Sequence, residues 1–153
     1  MLWEMDFDAT LRLSFLLITG TGLAIFLLGG FVTPVAGRWR DGDRWVELNQ
    51  LGPWLQGHAK RPGGSERYRG FAFFGQIWLA RRSYGADHLR ALGFAEDALP
   101  VVEGAMTAKL RFSRRGRRLE GSFTGIRFDF SDPPVRILKV GRVAATDRVW
   151  ERG

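Results

Sequence analysis

Two histidines, a scatter of serines and a turn of four arginines are the side chains here whose chemistry could exceed packing. His58 falls in a predicted strand beside a basic turn, and His88 follows Asp87 in a predicted short helix. Neighbours in a helix project in different directions, so Asp87 and His88 do not form a relay by themselves. The chain has no cysteine, which excludes thiolate zinc sites and disulfides. A zinc site would need His58, His88 and a carboxylate to converge, and nothing in the spacing requires it. Ser65, Ser83, Ser113, Ser122 and Ser131 fall in turns or at outward strand positions, and none sits in a Gly-x-Ser-x-Gly elbow. Gly29-Gly30 and Gly63-Gly64 lack the strand, Gly-rich loop and helix that cradle a phosphate. No catalytic, cofactor-binding or metal residue and no cofactor is expected, and the protein is expected not to be an enzyme.

The basic residues carry more. Arg114-Arg115-Gly116-Arg117-Arg118 places four bases on one predicted hairpin tip, a compact anion-attracting patch. Contact with an acidic protein partner is assigned to Arg114, Arg115, Arg117 and Arg118. Arg38, Arg40, Arg44, Lys60, Arg61, Arg81 and Arg82 are assigned to anionic lipid headgroups. Nucleic acid is disfavoured, because the tip carries no interleaved aromatic for base stacking. A solvated turn in an Arg-rich chain is the plain alternative, since 20 of the 23 bases are Arg.

What positions these groups begins with Leu13 to Val32, 20 consecutive residues without a charge. At about 1.5 Å per residue they reach roughly 30 Å, the thickness of a hydrocarbon core. Such a run crosses only as a self-bonded helix. The preceding tail, residues 1–12, is acidic (Glu4, Asp6, Asp8), unlike the basic start of a cleavable signal, so the span is expected to stay as an anchor. All but one of the 23 bases and all but three of the 16 acids follow Gly37, a local balance of +9 within a total of +7. Arg38, Arg40 and Arg44 against Arg12 place the following domain in the cytoplasm by the positive-inside rule. The expected location is the cell membrane (a bacterial inner membrane), single pass. Trp3 and Phe7 before the span, with Trp39 and Trp45 after it, stand where interfacial aromatic belts lie. Gly20 and Ala24 form a small-xxx-small pair on which a homodimer could close.

Residues 33–44, TPVAGRWRDGDR, read as an irregular linker because of Pro34, Gly37 and Gly42. From residue 45 to 153 the apolar pattern has a period near two, with turn residues at short intervals. Strands are expected at 45–50, 53–60, 66–73, 76–83, 104–113, 118–130 and 135–145. The stretches 68–74 and 77–80 are apolar on both faces, which suggests central strands or a face covered by the helix or the membrane. The apolar phase flips after Phe123, which predicts a β-bulge at Thr124-Gly125. Residues 86–93 read as a short helix with Leu89 and Leu92 inward, and Pro100 marks a second helical turn. The fold class is therefore all-β, an antiparallel barrel or sandwich of about seven strands with a short helical insert, after one transmembrane helix.

Counting turns from a first strand at 45 puts Lys60-Arg61 and Arg81-Arg82 at the membrane end and the four-arginine tip at the far end. The function expected is a membrane-anchored β-domain acting as a non-catalytic binding or scaffold component. The alternative is a small barrel carrying an apolar ligand or lipid, lined by some of the 12 Phe and six Trp.

Overall fold

An uncharged apolar run satisfies its backbone only within itself, and in the computed structural model it forms helix α1, Phe7–Phe31. The structure describes residues 7–31 and 33–153; Trp3, Glu4, Asp6, Val32 and the side chain of Phe7 lie outside the described residues. Thr10–Leu28 has a mean hydropathy of 2.0 and none of it is buried, so α1 is long and apolar enough to cross a membrane. The Thr19 hydroxyl donates to the Phe15 carbonyl at 2.7 Å, which satisfies that polar group inside the helix.

Among the described residues nine strands follow: β1 Gly37–Asp41, β2 Arg44–Leu51, β3 Trp54–Arg61, β4 Gly64–Phe73, β5 Gln76–Tyr84, β6 Met106–Arg115, β7 Arg118–Phe130, β8 Ile137–Arg142 and β9 Thr146–Arg152. Eight of them close into an antiparallel barrel in the order β1 to β7, then β9, which returns to β1. Closure is read in the pairs Leu119↔Trp150 and Arg40↔Glu151. A closed sheet has no free edge, and eight strands leave an interior that side chains can fill. Trp39, Trp150, Tyr68, Phe112, Leu48 and Leu55 fill it here, each under 2 % exposed.

Several sequence expectations change. The stretch 33–44 contains strand β1 and its hairpin to β2, with Gly42 in the left-handed region at φ 67°. Trp39 points into the barrel, donating from Nε1 to the Val35 carbonyl at 2.8 Å, and so belongs to no membrane belt. Strand β9 lies beyond the expected 135–145, because TDRVWER offers one buried apolar side chain, Trp150, to a periodicity search.

The phase flip after Phe123 has another origin than a bulge. The first half of β7 pairs with β9 and its second half, from Ile126, pairs with β8. Ile126, Phe128 and Phe130 follow the phase of this outer hairpin, while β6 pairs without a shift through Gly125. Register shifts occur instead at Arg81/Arg82 and Asp129/Phe130.

Between β5 and β6 lie α2 Ala86–Ala91, a 3-10 turn Glu96–Ala98 and α3 Leu99–Val102. Leu89, Leu99 and Val102 are buried with Phe94 and Phe130 against them, a second small core. Leu92 was expected inward but is 40 % exposed, and His88 is the polar member of α2 that turns inside.

The barrel has two ends. The near end receives α1: Phe26 packs on Trp54 and Phe73 at centroid distances of 5.8 and 5.7 Å. Gln50 locks the junction, its Nε2 donating to the Thr33 and Gly52 carbonyls and its Oε1 accepting from Val35 N at 2.8 Å. The Thr33 hydroxyl accepts from Gly75 N at 2.7 Å. The far end holds the β1–β2 and β3–β4 turns and the helical insert.

Candidate functional site

Inward alternation carries charge into the far half of the barrel. Glu66, 1 % exposed, continues the inward phase of Tyr68, and Arg81, 7 % exposed, continues that of Ile77 and Leu79. The Tyr68 hydroxyl donates to Glu66 Oε2 at 2.6 Å, Arg61 donates to the same oxygen, and Arg81 Nη1 lies 3.2 Å from Oε1. His88 reaches in from α2 to 3.4 Å from Oε1, without hydrogen-bond alignment. It comes this close because residue 64 is glycine: a Cβ there would strike the Tyr84 carbonyl and the Cβ of His88. Arg81 Nε also donates to Thr107 Oγ1 at 3.1 Å, and Ser83 shares a 2.8 Å hydrogen bond with that hydroxyl.

Burial alone would raise the Glu66 carboxyl, but the Arg61 hydrogen bond, the Arg81 charge and the Tyr68 hydroxyl outweigh it and hold it below the usual range. Desolvation and the Glu66 charge push the Tyr68 phenol up, and desolvation lowers His88. A carboxylate held ionised by two hydrogen-bond donors and a neighbouring guanidinium charge is a poor proton acceptor. Its chemistry is structural, a polar plug at one end of an apolar core. Beside it, Asp41 accepts from Arg44 Nε at 2.8 Å, and Arg148 lies 3.6 Å away. The rings also take part: Arg81 and Arg148 sit over Phe123 at 4.9 and 5.4 Å.

The expected sites are redistributed. Arg114, Arg115, Arg117 and Arg118 lie at the near end, not the far one. Arg114 N donates to the Gly75 carbonyl at 2.8 Å and Arg152 N to the Arg117 carbonyl at 2.9 Å, while Gly153 N reaches the Arg38 carbonyl at 3.1 Å. Strand β1 adds one strand to the count and so reverses the direction of every later turn. Arg44, Lys60, Arg61, Arg81 and Arg82 accordingly gather at the end away from α1. Arg61 and Arg81 are also spent on Glu66, and Arg82 donates to the Gly104 carbonyl at 2.8 Å. Of the lipid set, Arg38 remains on β1 towards the helix, while Arg40 pairs with Trp45 beside the β1–β2 turn and with Glu151 of β9. His58 stays on the outer face, 3.5 Å from Glu47. Ser83, expected outward, is fully buried. Among the described residues no group of three or more His, Cys, Asp or Glu is gathered for a metal ion.

A site that sequence reasoning missed lies on the outer face of β4 to β7. A groove of about 520 Å³ is lined by Arg69, Phe71, Trp78, Lys109, Arg111 and Arg142, among others. Register builds it: Phe71 faces Trp78, which faces Arg111, while Arg69 faces Ala80, which faces Lys109. Phe71 and Trp78 stack at 4.8 Å, and Arg111 covers the Trp78 ring at 5.8 Å. The groove accounts for part of the two-sided apolar pattern of β4 and β5, and α1 on Phe73 accounts for more. Arg69, Lys109, Arg111 and Arg142 are exposed, and among the described residues no carboxylate lies within 4.0 Å of any of their cationic nitrogens. Elsewhere among the described residues some bases are paired, as in Arg40–Glu151, Arg118–Glu151 and Arg127–Asp129, and others such as Arg67, Arg117 and Lys139 are not. What marks the groove is that its four bases share one face around an aromatic pair. Like charges gathered on one sheet face repel, so this groove is poised for an anion. No protein-family model, curated protein or solved structure matches this chain.

Proposed function

We propose that this chain is a single-pass, membrane-anchored β-barrel that acts as a non-catalytic binding component, with an acidic protein segment as its partner. The observation that carries the reading is the outer groove, with its four unpaired bases around a stacked aromatic pair. A segment lying across β4 to β7 would set carboxylates against Arg69, Lys109 and Arg142 and apolar side chains against Phe71 and Trp78. Nucleic acid fits less well, because Phe71 and Arg111 already occupy faces of the Trp78 ring where a base would stack. The anchor keeps the groove at the membrane surface, on the cytoplasmic side by the count of flanking arginines.

The test is affinity purification of the full-length protein from detergent, in parallel with a Lys109→Gln/Arg111→Gln/Arg142→Gln variant. A partner with an acidic binding segment should copurify with the parent protein, and its yield should fall at least about tenfold with the variant, equivalent to about 1.4 kcal/mol. Recovery of the same proteins at the same yield from both would remove the groove as the binding site.

A further inference from the structure

The near end of the barrel presents a surface that the groove does not explain. Leu51, Trp54 and Phe74 stand at its hairpin turns with 82, 58 and 57 % of their surface exposed. These turns touch the last turns of α1: Phe26 packs on Trp54 and Phe73, and Leu27 lies about 4.0 Å from where a Cβ on Gly52 would be. Both Phe26 and Leu27 fall within the apolar span Thr10–Leu28. Side chains in contact with the end of the span are therefore at the depth of the span's end.

Phe74 adds an independent mark. It holds φ 43°, followed by Gly75 at 78°, in a tight turn whose first position favours Asn, Asp or Gly. A bulky aromatic in the left-handed region is disfavoured by its own backbone, and exposure offers it no compensation in water. Charge points the same way. The arginine turn 114–118 adds four bases to this end, whereas at the other end Asp87, Glu96, Asp97 and Glu103 stand among Lys60, Arg82 and Arg90 and offset them.

We infer that the near end is seated in the bilayer interface, with Leu51, Trp54 and Phe74 at the hydrocarbon boundary and the arginine turn on anionic lipid headgroups. The inference rests on α1 crossing the membrane, and it replaces the far-end protein contact expected for those arginines. The barrel then does not swing on a tether. It stands on the membrane in one orientation, and Gln50 transmits the position of α1 to it.

The absence of cysteine in the sequence makes site-directed spin labelling clean. Full-length Leu51→Cys, Trp54→Cys and Asp97→Cys proteins are labelled and reconstituted into vesicles of phosphatidylcholine, with or without phosphatidylglycerol. Flotation after carbonate washing first checks the anchor. Labels at 51 and 54 should collide with oxygen severalfold more, relative to a water-soluble nickel chelate, than the label at 97. Arg115→Gln/Arg117→Gln in the Leu51→Cys background should reduce that ratio in vesicles with phosphatidylglycerol and leave it unchanged without. Protein that floats while all three labels are equally open to the chelate overturns the inference and spares the anchor. Protein that does not float overturns both. A ratio that ignores the lipid charge and the arginines overturns their assignment to headgroups.

Discussion

Glu66 shows how much one side chain can decide. Its carboxylate is shared by Arg61, Arg81 and the Tyr68 hydroxyl at the far end of the barrel, where water does not reach. Glu66→Gln keeps the volume and an oxygen for Tyr68 but leaves two buried guanidiniums without a counter-charge. Removing one partner of a buried pair typically costs about 3–5 kcal/mol. A loss of that size is expected at pH 7, read from the unfolding midpoint in detergent. The pH dependence has a definite sign. The folded carboxyl titrates below its ordinary value of 4.5, so its contribution is present above that value and lost as pH falls through the folded pKa. The gap between parent and variant should therefore narrow in acid. A gap that stays constant down to the acid limit would mean that Glu66 is not held as a carboxylate.

At the scale of elements, closure depends on the last strand. Strand β9 joins β7 to β1, and its Trp150 is fully buried, with its ring 4.8 Å from Phe112 and 5.6 Å from Tyr68. Trp150→Ala leaves a cavity among aromatic rings, and such truncations cost about 3–5 kcal/mol. Val149, one residue earlier, points outward at 48 % exposure. Val149→Ala should change stability by less than about 0.5 kcal/mol. Chemical unfolding of both variants tests the closure: similar effects would show that β9 is an edge appendage and not a closing strand.

For the whole molecule, the orientation question turns on α1, which is long and apolar enough to cross a membrane, and on the two chemically different ends. The bases flanking the span predict that the barrel lies in the cytoplasm. Protease added to intact spheroplasts should leave the barrel whole and digest it only after lysis. Digestion before lysis would reverse the assignment. Neither the filled interior nor the groove changes with side, so this experiment concerns topology alone.

The sequence by itself determined the strand periodicity, the apolar helix and the all-β class, because each is a local pattern of side chains written along the chain. Strands β2 to β7 and the insert from Ala86 stand close to their expected positions for that reason. Strand β1 was hidden by Pro34, Gly37 and Gly42, which read as a linker, and β9 by the charges that alternate around Trp150. One missed strand was enough to exchange the two ends, since turn direction is a running parity and not a local property. The Glu66 cluster was half legible, as charges continuing an inward apolar phase at Glu66 and Arg81. Their meeting, and the arrival of His88 over Gly64, depend on barrel closure and on the docking of α2. The groove is still further from the sequence. Arg69, Trp78, Lys109 and Arg142 lie on four different strands, and only cross-strand register brings residues so distant in the chain onto one face.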